Sequence, residues 1–197
     1  MKKFNMRNFR LRRVTVDDLD DRMLLVNLYA TQALMLIIGT AWLIFQGRNP
    51  IALLTWPYGP QFLYWGAGLA AAALLVNLAA ERWMPGEAAD DGGVNDRLFR
   101  GRPIWHILLI SATAALCEEL LFRGAVQHHL GPYWTSIVFA TIHVRYLKHW
   151  IPTGLVFLTS YGLGWIYSET GTLWAPIAAH FLIDAAGGLM IRFRRES

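Results

Sequence analysis

Cysteine is almost absent: one residue, Cys117, in a chain of 197. A single thiol excludes an internal disulfide and a cysteine-built zinc cage. Next to Glu118 it reads best as a small residue packed between helices. Charge is scarce too, at 16% of residues against 55% hydrophobic. The net charge of +4 is not a nucleic-acid signature, because most basic residues flank apolar runs, where they orient a membrane protein. There is no His-Glu-x-x-His helix, no internal repeat and no cleavable signal peptide. The basic start (Lys2, Lys3, Arg7, Arg10, Arg12, Arg13) runs into Asp17, Asp18, Asp20 and Asp21 instead of an apolar core. Residues 1–22 therefore read as a cytoplasmic tail.

What remains is apolar. Runs near the length of a bilayer crossing predict an all-α polytopic membrane protein with about six spans. They fall at 23–45, 61–84, 104–127, 133–148, 152–168 and 172–191. Pro103 and Pro152 sit at helix starts, and Pro176 falls in the first turn or so of the last span. Trp and Tyr cluster near the ends (Trp56, Tyr58, Trp83, Trp105, Tyr133, Trp134, Trp150, Trp174), as an interfacial belt does. The polar, glycine-rich stretch 85–103 reads as a cytoplasmic loop between two accessory helices (23–84) and a catalytic core of four (104–191), and residues 192–197 form a basic tail. Gly66-Ala67-Gly68 through Ala73 marks a close-packing face.

The basic residues set the orientation. With both termini inside, the tail, the long loop, Arg145, Lys148 and the C-terminal arginines all fall on the inner side; Arg48 falls outside and Arg123 is buried. Counting residues from the helix starts puts Glu118 about 21 Å along an outward-running helix, and His143 and His180 about 15 and 12 Å along inward-running ones. All three reach a similar level in the outer half of a core about 30 Å thick.

Six ionisable residues thus lie within spans: Glu118, Glu119, Arg123, His143, His180 and Asp184. Charges in hydrocarbon are costly and mark function by default. Glu119 and Arg123, four apart, can pair on one helix face, leaving Glu118 about 100° away to face a cavity. A carboxylate sheltered there can act as a general base: Glu118 with His143 would hold and deprotonate a water that attacks a peptide carbonyl. His180 and Asp184, also four apart, would sit opposite, with protonated His180 donating to the oxyanion. Each histidine alone reads as a helix-to-helix hydrogen bonder; three motifs at one depth read as a site. Glu118, His143 and His180 would also make a His₂Glu zinc set, so a divalent metal such as zinc stays open, although the reading without one is preferred. His128, His129, His106 and His149 read as interfacial, and Ser111 and Thr113 as helix-packing residues.

At these residues the chain resembles a known family. Glu-Glu-x-x-x-Arg, Phe-x-x-x-His and His-x-x-x-Asn/Asp on successive helices are similar to the CPBP family, the type II CAAX prenyl proteases and bacteriocin-processing (Abi) intramembrane endopeptidases. The string Cys-Glu-Glu-Leu-Leu-Phe-Arg-Gly at 117–124 carries the likeness furthest, and the resemblance covers about 104–188. It implies Glu118 as the water-activating base with His143 as partner, Glu119 and Arg123 in support, and His180 with Asp184 on the oxyanion side. It implies glutamate-dependent chemistry with no required zinc, although the family is often labelled metalloprotease. Asp184 stands where many members have Asn, and an ionised Asp cannot donate to an oxyanion.

The expected function is an intramembrane peptidase in a bacterial inner membrane. Its partners are the bilayer and a protein or peptide substrate, with no nucleic acid. The depth estimate points to an exported or anchored substrate, such as a C-terminal anchor or peptide precursor. The alternatives are a CAAX-type protease working at the cytoplasmic face, a non-enzymatic immunity or partner-binding protein, and a proton-coupled transporter.

Overall fold

In an apolar run every backbone N–H and C=O must find its partner within the chain, and a helix achieves that locally. The computed structural model describes residues 20–83, 93–144 and 146–194, and no strand occurs among them. Residues 1–19, residues 84–92, Arg145 and the last three residues lie outside the described part.

The helices are α1 (Asp21–Phe45), α2 (Pro50–Leu53), α3 (Gln61–Trp83), α4 (Val94–Phe99), α5 (Ile104–Glu119), a π-helical segment (Leu120–Val126), α6 (Gln127–Ile142), α7 (Trp150–Thr170) and α8 (Trp174–Phe193). Their ends follow local chemistry. The Asn49 side chain caps α2 by accepting from the Ile51 and Ala52 amides, with Pro50 opening the helix. Gly171, in the left-handed region, closes α7. Gly131 (φ 70°, ψ 173°) breaks the long run through α5 and α6, and Pro132 follows it.

Among the described residues four stretches are long and apolar enough to cross a membrane: Asp21–Phe45, Gln61–Ala80, Ile104–Ile142 and Trp174–Phe193. The protein is an all-α polytopic membrane protein. The third and fourth expected spans are joined in one run that bends at Gly131, and the expected 133–148 helix stops at Ile142. Apolar Val144, Tyr146 and Leu147 carry the hydropathy onward through a turn that is not helical. The 152–168 span corresponds to α7, which is not among those four stretches.

The bundle is built around α5 and α8. α8 packs on α3, α4, α5 and α7; α1 lies along α5 and the π segment; α6 packs on α7. Leu43, Ala115, Leu120, Ala125, Leu173 and Ile177 form one core, and Phe62, Leu163, Ile166, Ala175 and Ala179 another. Large apolar side chains such as Val26, Ile37, Leu75 and Trp150 point outward, as a lipid-facing surface requires.

Small residues set the closest approaches. Gly66 lies against the α8 backbone, as the close-packing face predicted, whereas Gly68 faces open space. At Gly39 a Cβ would stand 3.0 Å from Leu121 Cα, so α1 touches the π segment backbone to backbone. Gly39→Val is expected to cost about 1–3 kcal/mol by overpacking, read as a lower unfolding temperature in detergent.

The π turn leaves carbonyls that an α-helix would have paired. Gln46 Nε2 donates to the Ala125 carbonyl at 3.0 Å, and Arg48 Nη1 donates to that of Gly124. The end of α1 thus completes the hydrogen bonding of a segment almost eighty residues further along.

Candidate active site

The π segment begins directly after Glu119 and contains Arg123. Arg123 is fully buried, as is Glu119. Its Nε lies 3.1 Å from Glu119 Oε2, the i, i+4 pair expected from spacing. Its Nη2 donates to the Ser160 carbonyl at 2.7 Å and to Ser160 Oγ at 2.9 Å, and the guanidinium stacks over Phe139, 5.1 Å from the ring centre. A buried arginine thus meets a carboxylate, a carbonyl, a hydroxyl and an aromatic face.

Glu119 has a second partner that spacing does not reveal. Its Oε1 lies 2.7 Å from His180 Nδ1 on α8. The carboxylate fixes the imidazole's tilt and directs Nε2 the other way. There Nε2 meets Asp184 Oδ2 at 3.4 Å and Glu118 Oε2 at 4.0 Å. Asp184 is the most solvent-reached member of this group. An ionised Asp accepts only, so its contact with Nε2 fits an orienting role.

Glu118 is buried, with one oxygen held and one not. Oε1 accepts from Gln32 Nε2 on α1 at 2.8 Å, and Oε2 has no hydrogen-bond partner within the chain. Glu118, His143, His180 and Asp184 all line one cavity of about 760 Å³. His143 caps the end of α6, its Nδ1 2.7 Å from the Phe139 carbonyl. The Phe139 ring stands beside both histidines, 4.5 Å from His143 and 6.3 Å from His180 between ring centres. His143 therefore shares a wall with Glu118, while His180 is the histidine locked into the carboxylate cluster. Among the described residues no three His, Cys, Asp or Glu side chains are grouped so as to hold a metal ion.

The remaining candidates fall where a structural reading puts them. Ser111 and Thr113 bond back to the Ile107 and Leu109 carbonyls of their own helix. His128 and His129 are exposed, and His106 is tied to the Tyr29 hydroxyl at 3.1 Å. Cys117 is buried with a free thiol.

The cavity has a direction. Its walls come from the first half of α1, the last part of α3, α4, the end of α6, the start of α7 and the last half of α8. All of these lie at one end of the bundle, and the cavity runs from Glu118 and His180 to Asn95, Tyr146 and Arg194 there. Among the described residues Arg22, Arg82, Arg97, Arg100, Arg102, Lys148, Arg192 and Arg194 belong to that end, and Arg48 to the other. At the rim, Arg100 hydrogen-bonds Asp96 and holds its carboxyl below the usual range.

Sequence reasoning missed Gln32, Gln46, Arg48, Ser160 and Gln127. Gln32 left a trace, as a carboxamide in an otherwise apolar span that needs a partner. Arg48, Gln46 and Ser160 left none, because their partners are backbone carbonyls or lie on another helix.

A family model described as type II CAAX prenyl endopeptidase, Rce1-like, matches residues 100–186. A Bacillus subtilis (strain 168) protein called Uncharacterized protein YpbD is 39% identical over 133 residues, which is 68% of this chain and 70% of that one. No solved structure matches. With the Glu-Glu helix, the two histidine helices and this likeness together, the chain belongs to the Rce1-like, type II CAAX prenyl endopeptidase group of the CPBP family.

Proposed function

We propose that this chain is an intramembrane endopeptidase in which Glu118 activates a water to hydrolyse a peptide bond. The observation that carries the reading is a buried Glu118 on the cavity wall, with Oε1 held by Gln32 and Oε2 without a hydrogen-bond partner. In this reading a water bound to Oε2 gives up a proton as its oxygen attacks the scissile carbonyl. With a proton on each nitrogen, His180 donates Nδ1–H to Glu119 and Nε2–H toward the oxyanion. Asp184 orients that imidazole, and His143 orders the substrate or water from the wall. Glu118 returns the proton to the leaving amine as the tetrahedral intermediate collapses.

Basic residues gather on the cytoplasmic side of membrane proteins, which assigns the open end of the cavity to the cytoplasm of a bacterial inner membrane. Depth and access then separate. The site sits far along α5, which favoured an exported substrate, but the cavity leads to the opposite end. The direction of the cavity supports a substrate offered from the cytoplasmic face, such as the C-terminal tail of a membrane-associated protein. This is the CAAX-like mode, and the proposal follows it.

The test compares host membranes carrying the wild-type chain with membranes carrying Glu118→Ala, by intact-protein mass spectrometry. A membrane-associated protein should be shorter only where Glu118 is intact, with the removed piece on the cytoplasmic side. Identical masses with both variants folded and equally abundant would favour a non-enzymatic, partner-binding protein. A tag map placing both termini outside would reverse the assigned face.

A further inference from the structure

We propose that Gln32 is a positioning residue for Glu118: from α1, outside the family-matched stretch 100–186, it holds one carboxylate oxygen and so fixes the side chain for its work as base. This rests on the reading of Glu118 as general base. The contact is 2.8 Å between two buried side chains 86 residues apart in sequence. Its polarity follows from chemistry. A carboxylate only accepts, so the carboxamide must present its NH₂ to Glu118 and turn its oxygen away. A neutral donor holds the carboxylate without cancelling its charge, which a Lys or Arg at this place would do.

A role in helix adhesion alone accounts for less. The described buried glutamine that serves adhesion is Gln127, which donates to the Gly164 carbonyl at 2.8 Å and to Ser168 Oγ at 3.2 Å, both groups of the neighbouring α7. Gln32 instead donates to the Oε1 of a carboxylate on the cavity wall, and both Gln32 and Glu118 line that cavity. Its own Oε1 is buried without a hydrogen-bond partner, as is that of Gln127, so the two glutamines differ in what they donate to: a carboxylate for Gln32, a carbonyl and a hydroxyl of α7 for Gln127. The backbone supports the placement. Gly39 lies seven residues beyond Gln32, about two helical turns on and on the same face, and its contact with Leu121 holds α1 against the catalytic helix.

The experiment uses the purified full-length chain in lipid nanodiscs and the Glu118-dependent precursor found in the matched membranes. Gln32→Met, which keeps length and removes the donor, is expected to lower kcat about 10- to 100-fold, the scale of one lost hydrogen bond to a charged group, with KM unchanged. Gln127→Met, a buried amide of comparable burial, is expected to lower the unfolding temperature and leave kcat in place. Wild-type kcat in Gln32→Met, with Glu118→Gln inactive, overturns the positioning role and leaves the protease reading standing. Full activity in Glu118→Gln, or no Glu118-dependent precursor at all, overturns both. If Gln32→Met does not fold, Gln32→Asn, which draws the amide back by one carbon, is read by the same criteria.

Discussion

Glu118→Gln is expected to lower kcat by about 10²- to 10⁴-fold, the usual contribution of a positioned general base, while the protein stays folded. The substitution changes one atom's chemistry and no shape. The Gln32 amide can still donate to the side-chain oxygen that replaces Glu118 Oε1, and the cavity keeps its walls. What disappears is a group able to take a proton from water. The measurement is a turnover rate on the identified precursor beside an unfolding temperature in the same preparation. Loss of rate at constant unfolding temperature assigns Glu118 to chemistry; parallel loss of both assigns it to the scaffold.

The second large effect is on stability. Arg123→Met is expected to cost about 3–5 kcal/mol, because removing one partner of a buried ion pair strands the other. Glu119 would keep only His180 for company, and the Ser160 carbonyl and hydroxyl would lose their donor. Thermal unfolding in detergent and the yield of folded membrane protein both read this out. Replacing the pair together, Glu119→Leu with Arg123→Met, is expected to recover part of the stability, since neither member of the pair is then left without the other, although His180 loses its Glu119 partner. It should not recover activity, because His180 loses the carboxylate that sets its tilt. Full activity in the double variant would remove Glu119 and Arg123 from any role at the site.

The parts of this site legible in sequence are those governed by helical period. Glu119–Arg123 and His180–Asp184 lie four apart, and both contacts form, at 3.1 and 3.4 Å. Hydropathy gave the long helices for the same reason: composition along one strand of chain carries the signal. Contacts between helices carry no such signal. Nothing in the spacing couples residue 32 to residue 118, or sends Glu119 across to His180. Glu118 and His143, expected to work together, do line one cavity, with His143 at the end of α6, but no spacing in the sequence carries that. The same shortfall applies to access. Residue counting says how far along a helix a group lies, and only the packing of the helices says from which end it is reached.

The loop read at 85–103 acquires another meaning once α1 is seen gripping the π segment. Gln46 and Arg48 complete its carbonyls, Gly39 touches its backbone, and Gln32 holds Glu118. The motif-bearing half therefore borrows contacts from the first half. A gene cut in that stretch is expected to give a folded protein only when both halves are expressed together, the second supplying every motif residue and the first the surface they pack on.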